Sequence, residues 1–184
     1  NILITGSSGY LGRNLLKKLA NTTNFNLIGL DIKPHKEIPN SVNFIQKDLQ
    51  NIESQSKIFK NIDLICHCAG IINHHTYTKN DYRINNVDVT EKLYKEASKN
   101  GINKFILTSS IAVITMNLFD KDWPVDETNN SSPDDEYGES KKKQEEIASS
   151  YAEKKLIQTI AIRPCAFFEA KGIDLGFRLT GSHM

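Results

Sequence analysis

A glycine-rich turn near the start of the chain constrains its fold more than any other feature. Gly6, Gly9 and Gly12 lie three residues apart, after the apolar run Ile2–Thr5 and before leucines that recur at helical spacing. In a strand–turn–helix unit the first glycine permits a tight turn, the second lets a pyrophosphate approach the backbone, and the third lets helix and strand pack closely. The helix N-terminus also offers free N–H groups to phosphates. Glycine triplets occur in ordinary turns as well, but this context predicts a dinucleotide site.

The remaining sequence alternates between predicted strands and predicted helices. Apolar runs predict six strands, at residues 2–5, 26–30, 42–45, 62–68, 104–108 and 157–162. Helical patterns follow the glycine turn and recur at residues 52–59, 81–98 and 133–155. The last of these opens with Ser132, Pro133 and three acidic residues, which are helix start signals. This alternation predicts an α/β fold with a doubly wound parallel sheet that is covered on both faces.

Length and charge narrow the class of protein. The 184 residues suit one domain, and 23 basic against 22 acidic residues leave a formal net charge of +1. This balance gives no electrostatic reason to expect nucleic acid or an anionic membrane as a partner. No apolar stretch approaches the roughly 20 residues of a spanning helix, and no signal-peptide pattern opens the chain. These features predict a soluble, cytoplasmic protein.

The three cysteines favour thiols over disulfides or a metal site. Cys66 and Cys68 lie two residues apart in an apolar run, so a strand would point both side chains the same way. That spacing is too short for an easy disulfide, which favours small buried thiols in a reducing compartment. A zinc site is the alternative, but the sequence around His67 lacks the second ligand pair that zinc needs. We therefore predict no metal.

Two acidic positions are candidates for contacts with the adenosine end of a dinucleotide. Asp31 ends the second predicted strand, about 20 residues after the glycine turn, where a carboxylate can accept hydrogen bonds from the ribose. A carboxylate there also repels a 2′-phosphate, which favours NAD, although Lys33 nearby leaves room for NADP. Asp48, followed by Leu49, is placed to reach the adenine edge, and an ordinary loop acid is the alternative.

Tyr137 and Lys141 carry the strongest catalytic signal. Four residues apart on a predicted helix, they share one face, which places the ammonium near the phenol. A neighbouring positive charge favours the phenolate, so we expect Lys141 to lower the pKa of Tyr137 toward use as a general acid or base. Ser109 and Ser110 follow the fifth strand, at the edge where open α/β sheets bind ligands. By itself a Tyr–Lys pair is usually a solvated helix face, but its place in a dinucleotide fold favours catalysis.

With these motifs in place, the sequence from Asn1 to about Phe168 resembles the extended short-chain dehydrogenase/reductase family, the NAD-dependent epimerases and dehydratases of nucleotide sugars. The resemblance implies that Ser110 is the catalytic hydroxyl, that Tyr137 is the acid/base, and that Lys141 binds the nicotinamide ribose. It further implies that NAD is the cofactor and that its binding residues are Gly6, Ser8, Gly9, Tyr10, Leu11, Gly12, Asp31, Ile32, Asp48, Leu49, Cys68, Ala69, Gly70, Asn86, Tyr137, Lys141, Arg163 and Pro164.

One departure from the family pattern bears on the reaction. Dehydratases of this family follow the fifth-strand hydroxyl with an Asp-Glu pair, and Ile111 and Ala112 occupy those places here. Dehydration is therefore disfavoured, and the leading hypothesis is an epimerase that works through a keto-sugar intermediate and regenerates NAD. A net oxidoreductase of a small alcohol or ketone is the first alternative. A dinucleotide sensor without turnover is the second, and the complete Ser-Tyr-Lys set argues against it.

The same resemblance implies a domain organisation and partners. Residues 1–168 are expected to form the NAD-binding domain, and residues 169–180 to begin a substrate-binding region that is missing or truncated. Residues 181–184, Gly-Ser-His-Met, are expected to be a remnant of an expression tag. The family further implies a UDP-sugar as substrate and a homodimer that pairs through two helices, Asp81–Ser98 and Pro133–Lys155.

Overall fold

A computed structural model of the protein describes residues 1–54, 56–118, 126–127 and 130–165, which are built on one six-stranded sheet. The strands are β1 (Ile2–Thr5), β2 (Leu27–Asp31), β3 (Asn43–Gln46), β4 (Leu64–His67), β5 (Lys104–Thr108) and β6 (Gln158–Ile162). All neighbouring strands are parallel, in the order β3-β2-β1-β4-β5-β6. This order confirms the predicted doubly wound sheet. It reverses between β1 and β4, where such sheets bind ligands at the carboxyl ends of the strands.

Helices of three kinds connect the strands. The α-helices are α1 (Tyr10–Thr22), α2 (Lys79–Tyr82), α3 (Val89–Lys99) and α4 (Glu136–Glu153). A π-helix, Arg83–Asp88, joins α2 to α3 without a break. Tighter 3₁₀ helices cover Leu49–Ser54, Ser56–Phe59 and Ile111–Leu118. Within the described ranges, no helix has both the length and the apolar character needed to cross a membrane.

The core lies on both faces of the sheet because successive side chains of a strand point to opposite sides. On one face, Leu3 and Ile65 pack in a cluster with Leu93 of α3, and all three are fully buried. On the other face, Ile4 packs in a cluster with Leu16 of α1, and both are fully buried. Burial on both faces explains why these strands read as continuous apolar runs. Since helices cover the faces, polar chemistry is concentrated at the carboxyl edge.

The start of α4 differs from the sequence prediction. Asp135, not Ser132, is the N-cap residue, and its carboxylate accepts a hydrogen bond from the Gly138 N–H at 2.6 Å. Ser132 instead donates its backbone N–H to the carbonyl of Val113 at 2.8 Å, which ties this segment to the preceding 3₁₀ helix. Ser132 is therefore held in the loop, and an ionised acid takes the capping place at the positive end of the helix dipole.

Two other predicted helices are subdivided in the structure. The predicted helix 81–98 consists of α2, the π-helix and α3, because a π-turn inserts a residue into the hydrogen-bond ladder without erasing the apolar spacing. The predicted helix 52–59 is divided between two short 3₁₀ helices. The predicted domain boundary at Phe168, the region 169–180 and the expected tag residues 181–184 lie outside the described residues.

Candidate active site

The glycine turn packs against the end of β4 at distances that only glycine permits. Gly6 has a left-handed φ of +66°, and a Cβ there would lie 2.5 Å from the backbone nitrogen of Ala69. A Cβ on Gly12 would collide with the carbonyl oxygen of Gly6. Gly9 donates its N–H to the same carbonyl at 3.0 Å, which closes the turn. The turn therefore has the close backbone packing that the spacing predicts.

The N-terminus of α1 fits the pyrophosphate of a dinucleotide. Gly9 is the N-cap residue, and no described side chain caps the helix. The first turn, Tyr10 to Arg13, holds no acidic residue that would repel an anion. Backbone N–H groups and the positive dipole end at such a position favour phosphate. What Leu11 and Gly12 can offer here is backbone N–H groups rather than side chains, and their contact with a pyrophosphate stays a prediction.

A cavity of about 390 Å³ opens at the carboxyl ends of β1 to β4. It brings together most of the predicted nucleotide contacts, namely Gly6, Ser8, Gly9, Asp31, Ile32, Asp48, Leu49, Cys68, Ala69 and Gly70. Seven further lining residues were not among the predicted cofactor contacts: Leu30, Lys33, Lys47, Gln50, Ile71, Asn85 and Val89. All of them except Val89 are sequence neighbours of a predicted contact. The other predicted cofactor residues are not among the described lining residues: Tyr10, Leu11, Gly12, Asn86, Tyr137, Lys141, Arg163 and Pro164.

The carboxylate of Asp31 is fixed at the end of β2 by two backbone donors. One oxygen accepts from the Ser8 N–H at 2.9 Å, and the other from the Ile32 N–H at 2.8 Å. Each oxygen keeps a lone pair for a ribose hydroxyl, whereas a phosphate here would meet like charge. Asp48 also lines the cavity, and its carboxylate accepts from the Gln50 N–H at 2.9 Å. Asp48 therefore has a structural role in its loop in addition to facing the cavity.

The structure separates the roles of the two serines that follow β5. Ser109 donates its hydroxyl to the carboxylate of Glu145 on α4 at 2.5 Å. Ser110 is instead a neighbour of the Tyr137 phenol, in the first turn of α4, and its hydroxyl lowers the pKa of that phenol. Its hydroxyl oxygen also accepts from the Ala112 N–H at 3.2 Å. This arrangement favours Ser110 as the hydroxyl that works with Tyr137.

The acidity of Tyr137 differs from the sequence expectation. Burial raises the pKa of the phenol, and the neighbouring Ser110 hydroxyl only partly offsets that rise. The expectation that Lys141 lowers this pKa is therefore wrong for this structure. The Lys141 ammonium lies 5.8 Å from the centroid of the Tyr137 ring and donates to the carbonyl of Thr108 at 3.0 Å. Its charge is directed to the end of β5 rather than to the phenolic oxygen.

Lys141 is itself strongly perturbed. Burial lowers its pKa to about 8, and the nearby Cys68 and Glu145 oppose that change. The cause is desolvation, since a buried ammonium loses hydration that one carbonyl acceptor does not replace. A lysine with this pKa changes its charge near neutral pH, which is typical of a group that takes part in chemistry.

Asn86 joins the loop after β4 to the catalytic helix. Its side-chain oxygen accepts from the Ile71 N–H at 2.8 Å, and its amide donates to the Ile71 carbonyl at 3.1 Å. The same amide donates to the Ser140 hydroxyl at 3.0 Å, one residue before Lys141. Asn86 is fully buried, so it positions the loop that carries Gly70 rather than facing the cavity.

A buried polar network under the site was not found from the sequence. His67 is hydrogen bonded to the hydroxyl of Thr5 at 2.7 Å and to that of Thr90 at 3.1 Å. Because Thr90 donates to the Asn86 carbonyl at 2.7 Å, its oxygen accepts from His67, which fixes a neutral imidazole with Nε2 protonated. Burial lowers the pKa of His67 to about 3, consistent with that form. Gln144 of α4 donates to the Thr90 hydroxyl at 2.5 Å and extends the network to the catalytic helix.

Arg163 and Pro164 follow the end of β6 and are not among the described residues that line the cavity. The Arg163 guanidinium binds both carboxylate oxygens of Glu145, at 2.9 and 2.7 Å. The Pro164 carbonyl accepts from the Ile111 N–H at 3.1 Å. Their contact with a cofactor stays a prediction. Glu145 was missed by sequence reasoning, although its position four residues after Lys141 places both on one helix face.

Taken together, a doubly wound sheet, an uncapped helix at a glycine turn and a Ser-Tyr-Lys set define a dinucleotide-dependent protein of the short-chain dehydrogenase class. The model of the NAD dependent epimerase/dehydratase family matches residues 2–171 of the chain. The chain therefore belongs to this family, and the predicted cofactor, NAD, is confirmed.

Relatives in this family carry several activities. The chain is 27% identical to UDP-glucose 4-epimerase from Vibrio cholerae, over 96% of this chain and 54% of that protein. It is 26% identical to uronate dehydrogenase from Pseudomonas putida, over 88% of this chain and 59% of that protein. It is 28% identical to the decarboxylating sterol-4-alpha-carboxylate 3-dehydrogenase of Saccharomyces cerevisiae, over 91% of this chain and 51% of that protein. The chain thus spans little more than half the length of these relatives.

Solved structures agree on the fold. A UDP-galactose 4-epimerase superposes with a TM-score of 0.79 at 22% identity, covering 88% of this chain and 55% of that chain. UDP-glucuronic acid 4-epimerase from Bacillus cereus, solved in complex with NAD, superposes with a TM-score of 0.75 at 26% identity and the same coverage. The described sheet is the amino-terminal part of such proteins.

Proposed function

We propose that the protein carrying this chain is an NAD-dependent epimerase of nucleotide sugars. The observation that carries the proposal is the buried ammonium of Lys141, which lies 5.8 Å from the centroid of the Tyr137 ring and donates to the Thr108 carbonyl, two residues before Ser110. The pair lies at the carboxyl edge of the sheet, on the side where the glycine turn receives the dinucleotide. When bound, NAD supplies a hydride acceptor to this edge.

Three side chains divide the remaining work. Tyr137 accepts the proton of the sugar hydroxyl during oxidation and returns it when the keto intermediate is reduced. Ser110 holds the reacting oxygen and the phenol in one hydrogen-bonded arrangement. Lys141, whose ammonium donates to the Thr108 carbonyl at the end of β5, binds the nicotinamide ribose. Because the pKa of Tyr137 is raised, we expect oxidation to become faster as the pH rises.

The substrate class is supported by relatives and by one local feature. The Vibrio cholerae relative is a UDP-glucose 4-epimerase, and the Bacillus cereus neighbour is also solved with UDP-glucuronic acid. Ile111 and Ala112 start a 3₁₀ helix where dehydratases of the family place two acids, so the groups needed for elimination are replaced by apolar ones. The second candidate is a net NAD-dependent dehydrogenase, which the uronate dehydrogenase relative favours.

Measuring the sugar products and the release of NADH in the same reaction separates the epimerase from the dehydrogenase. The complete gene product that contains this chain is incubated with UDP-glucose, UDP-galactose or UDP-glucuronic acid. An epimerase inverts the configuration of the carbon that carries the 4-hydroxyl and releases no net NADH. A dehydrogenase releases NADH in proportion to its product. Binding of NAD without either product would favour a sensor and overturn the proposal. Tyr137→Phe serves as the inactive control.

We further propose a homodimer in which α2, the π-helix, α3 and α4 pair with a second copy. A groove of about 630 Å³ between α3 and α4 is lined on this face by the half-buried side chains of Val87, Ile147 and Tyr151. Sedimentation equilibrium tests the proposal, and Ile147→Glu is expected to shift the protein toward monomer. Residues 1–168 as the cofactor domain, and a cytoplasmic location, remain proposals of the same kind.

A further inference from the structure

Glu145 is the hub of a cluster beside the proposed catalytic set. It lies on α4, four residues after Lys141, and only 13% of its side chain is exposed. Its carboxylate accepts three hydrogen bonds, one from the Ser109 hydroxyl at 2.5 Å and two from the Arg163 guanidinium at 2.9 and 2.7 Å. Charge-assisted and bidentate bonds of this kind are among the strongest polar contacts in proteins.

The cluster ties together the three elements that place the catalytic hydroxyl. Glu145 belongs to α4, Ser109 immediately follows β5, and Arg163 immediately follows β6. Backbone bonds reinforce the same junction, since the Ser109 N–H donates to the Ile162 carbonyl at 2.7 Å. Ser110 is the next residue of this junction. Its distance from α4 therefore depends on the cluster.

The cluster also places a balanced pair of charges near a buried cation. The groups that face the Lys141 ammonium are the Thr108 carbonyl from β5, the Cys68 thiol from the end of β4, and Tyr137 and Glu145 from α4. The charge of Lys141 also lowers the pKa of His67 on β4, in addition to the larger effect of burial. Among these groups, Cys68 and the Glu145 carboxylate raise the pKa of Lys141 against the effect of burial.

The second charge of the cluster, the Arg163 guanidinium, binds both carboxylate oxygens of Glu145 and therefore offsets the negative charge that Glu145 presents to the ammonium. The hydrogen bonds with Glu145 raise the pKa of the guanidinium, and the negative charge of Glu127 contributes in the same direction. Removing the carboxylate or the guanidinium should therefore change the charge of Lys141 in opposite directions.

We propose that Glu145 and Arg163 form a positioning pair that fixes Ser110 against α4 and sets the protonation of Lys141. The pair does not contact the reacting atoms and acts through these two residues. The proposal rests on the proposed function of the Ser110–Tyr137–Lys141 set.

A titration of Lys141 tests the electrostatic part without any turnover. The chain is labelled with lysine carrying ¹³C at Cε, and the Lys141 signal is assigned by its loss in Lys141→Met. In the unaltered chain we expect a midpoint at about 8. In Glu145→Gln the Lys141 ammonium should titrate at lower pH, because the carboxylate that favours its charged form is removed. Arg163→Gln should titrate at higher pH, because the carboxylate is left unopposed.

Matched variants distinguish charge from general disturbance. Arg163→Lys keeps the positive charge and should titrate like the unaltered chain. Glu37→Gln removes the carboxylate from an ion pair with Lys17 of α1 and should leave the Lys141 titration unchanged. Shifts in the same direction for Glu145→Gln and Arg163→Gln, or no shift in either, would overturn the proposal. If Glu145→Gln fails to fold, Arg163→Gln against Arg163→Lys decides the question by itself.

The pH dependence of kcat in the complete gene product tests the catalytic consequence. Its alkaline limb should move to lower pH in Glu145→Gln and to higher pH in Arg163→Gln, with KM little changed. Absence of turnover in the unaltered protein would refute the proposed function. The Lys141 titration would still test the role of the Glu145–Arg163 pair. Normal turnover combined with an unmoved Lys141 titration would refute the pair and leave the function standing.

Discussion

The nucleotide end and the proton-transfer end of this site are built in different ways. At the nucleotide end the groups that matter are backbone groups: the turn at Gly6, the uncapped start of α1, and the Ser8 N–H that fixes Asp31. At the proton-transfer end they are buried side chains, Tyr137 and Lys141 above all, whose ionisation is set by burial. Backbone geometry tolerates most side-chain changes outside the glycines. Buried ionisable groups respond to every neighbouring charge.

The largest expected effect is the loss of proton transfer while cofactor binding is retained. In the complete gene product, Tyr137→Phe should lower turnover by roughly 10²–10⁴-fold, because it removes the general acid/base. NAD binding should be nearly unchanged, since the nucleotide is held by the other end. Steady-state kinetics and a binding titration of the same preparation check both halves. Near-normal turnover in the variant would mean that the proton takes another path.

The reciprocal change breaks the nucleotide end. Gly6→Ala places a Cβ 2.5 Å from the Ala69 nitrogen at a φ of +66°. We expect a loss of roughly 3 kcal/mol in unfolding free energy, from strain and overpacking together, and weakened NAD binding. Gly101→Ala is the matched control, because Gly101 also has a positive φ, +72°, but no described atom lies within 4 Å of its Cβ position.

Urea unfolding and NAD titration compare the two glycine variants. Gly101→Ala should lose about 1 kcal/mol and keep its NAD affinity, since it shares the backbone strain but not the collision. Equal losses of stability and affinity in both variants would show that the close approach of Gly6 to Ala69 does not matter.

His67 connects the two ends of the site, because it contacts Thr5 below the glycine turn and Thr90 below the catalytic helix. Burial lowers the pKa of His67 from 6.5 to about 3. In the unfolded chain this histidine takes up a proton as the pH falls below about 6.5, whereas in the folded chain it stays neutral down to about pH 3. The free energy of unfolding therefore decreases as the pH falls through this range. At about pH 4.5 the loss should be about 3 kcal/mol relative to neutral pH.

Urea unfolding at both pH values checks this prediction in a His67→Gln variant. The decline with falling pH should be smaller by that amount in the variant, because the other titrating groups act equally in both proteins. His75→Gln, which changes an exposed histidine, should retain the full decline. Identical pH dependence in all three proteins would argue that His67 can be protonated in the folded state.

The smallest effect concerns cofactor choice at the nucleotide end. Binding should favour NAD over NADP by at least roughly tenfold, about 1.4 kcal/mol, because the Asp31 carboxylate repels a 2′-phosphate. Asp31→Ala should narrow the difference, and Lys33→Ala should widen it. Equal or tighter NADP binding in the unaltered protein would contradict the role given to Asp31.

The sequence by itself determined the parts that depend on local spacing. The glycine turn, the six strands and the placement of Tyr137 and Lys141 on one helix follow from periods of two, three or four residues. Short-range geometry and the handedness of crossovers are enough to convert those patterns into a sheet with a known binding edge. Most of the predicted nucleotide contacts therefore meet in one cavity.

Only the tertiary structure decided which groups meet across the sheet and how they ionise. Adjacent serines look alike in sequence, yet Ser109 binds Glu145 and Ser110 neighbours the Tyr137 phenol. The sign of the pKa change at Tyr137 was mispredicted, because i to i+4 spacing places Lys141 nearby but does not reveal burial or the competing Thr108 carbonyl. Desolvation depends on everything packed around a group, and those neighbours come from strands and helices far apart in the chain.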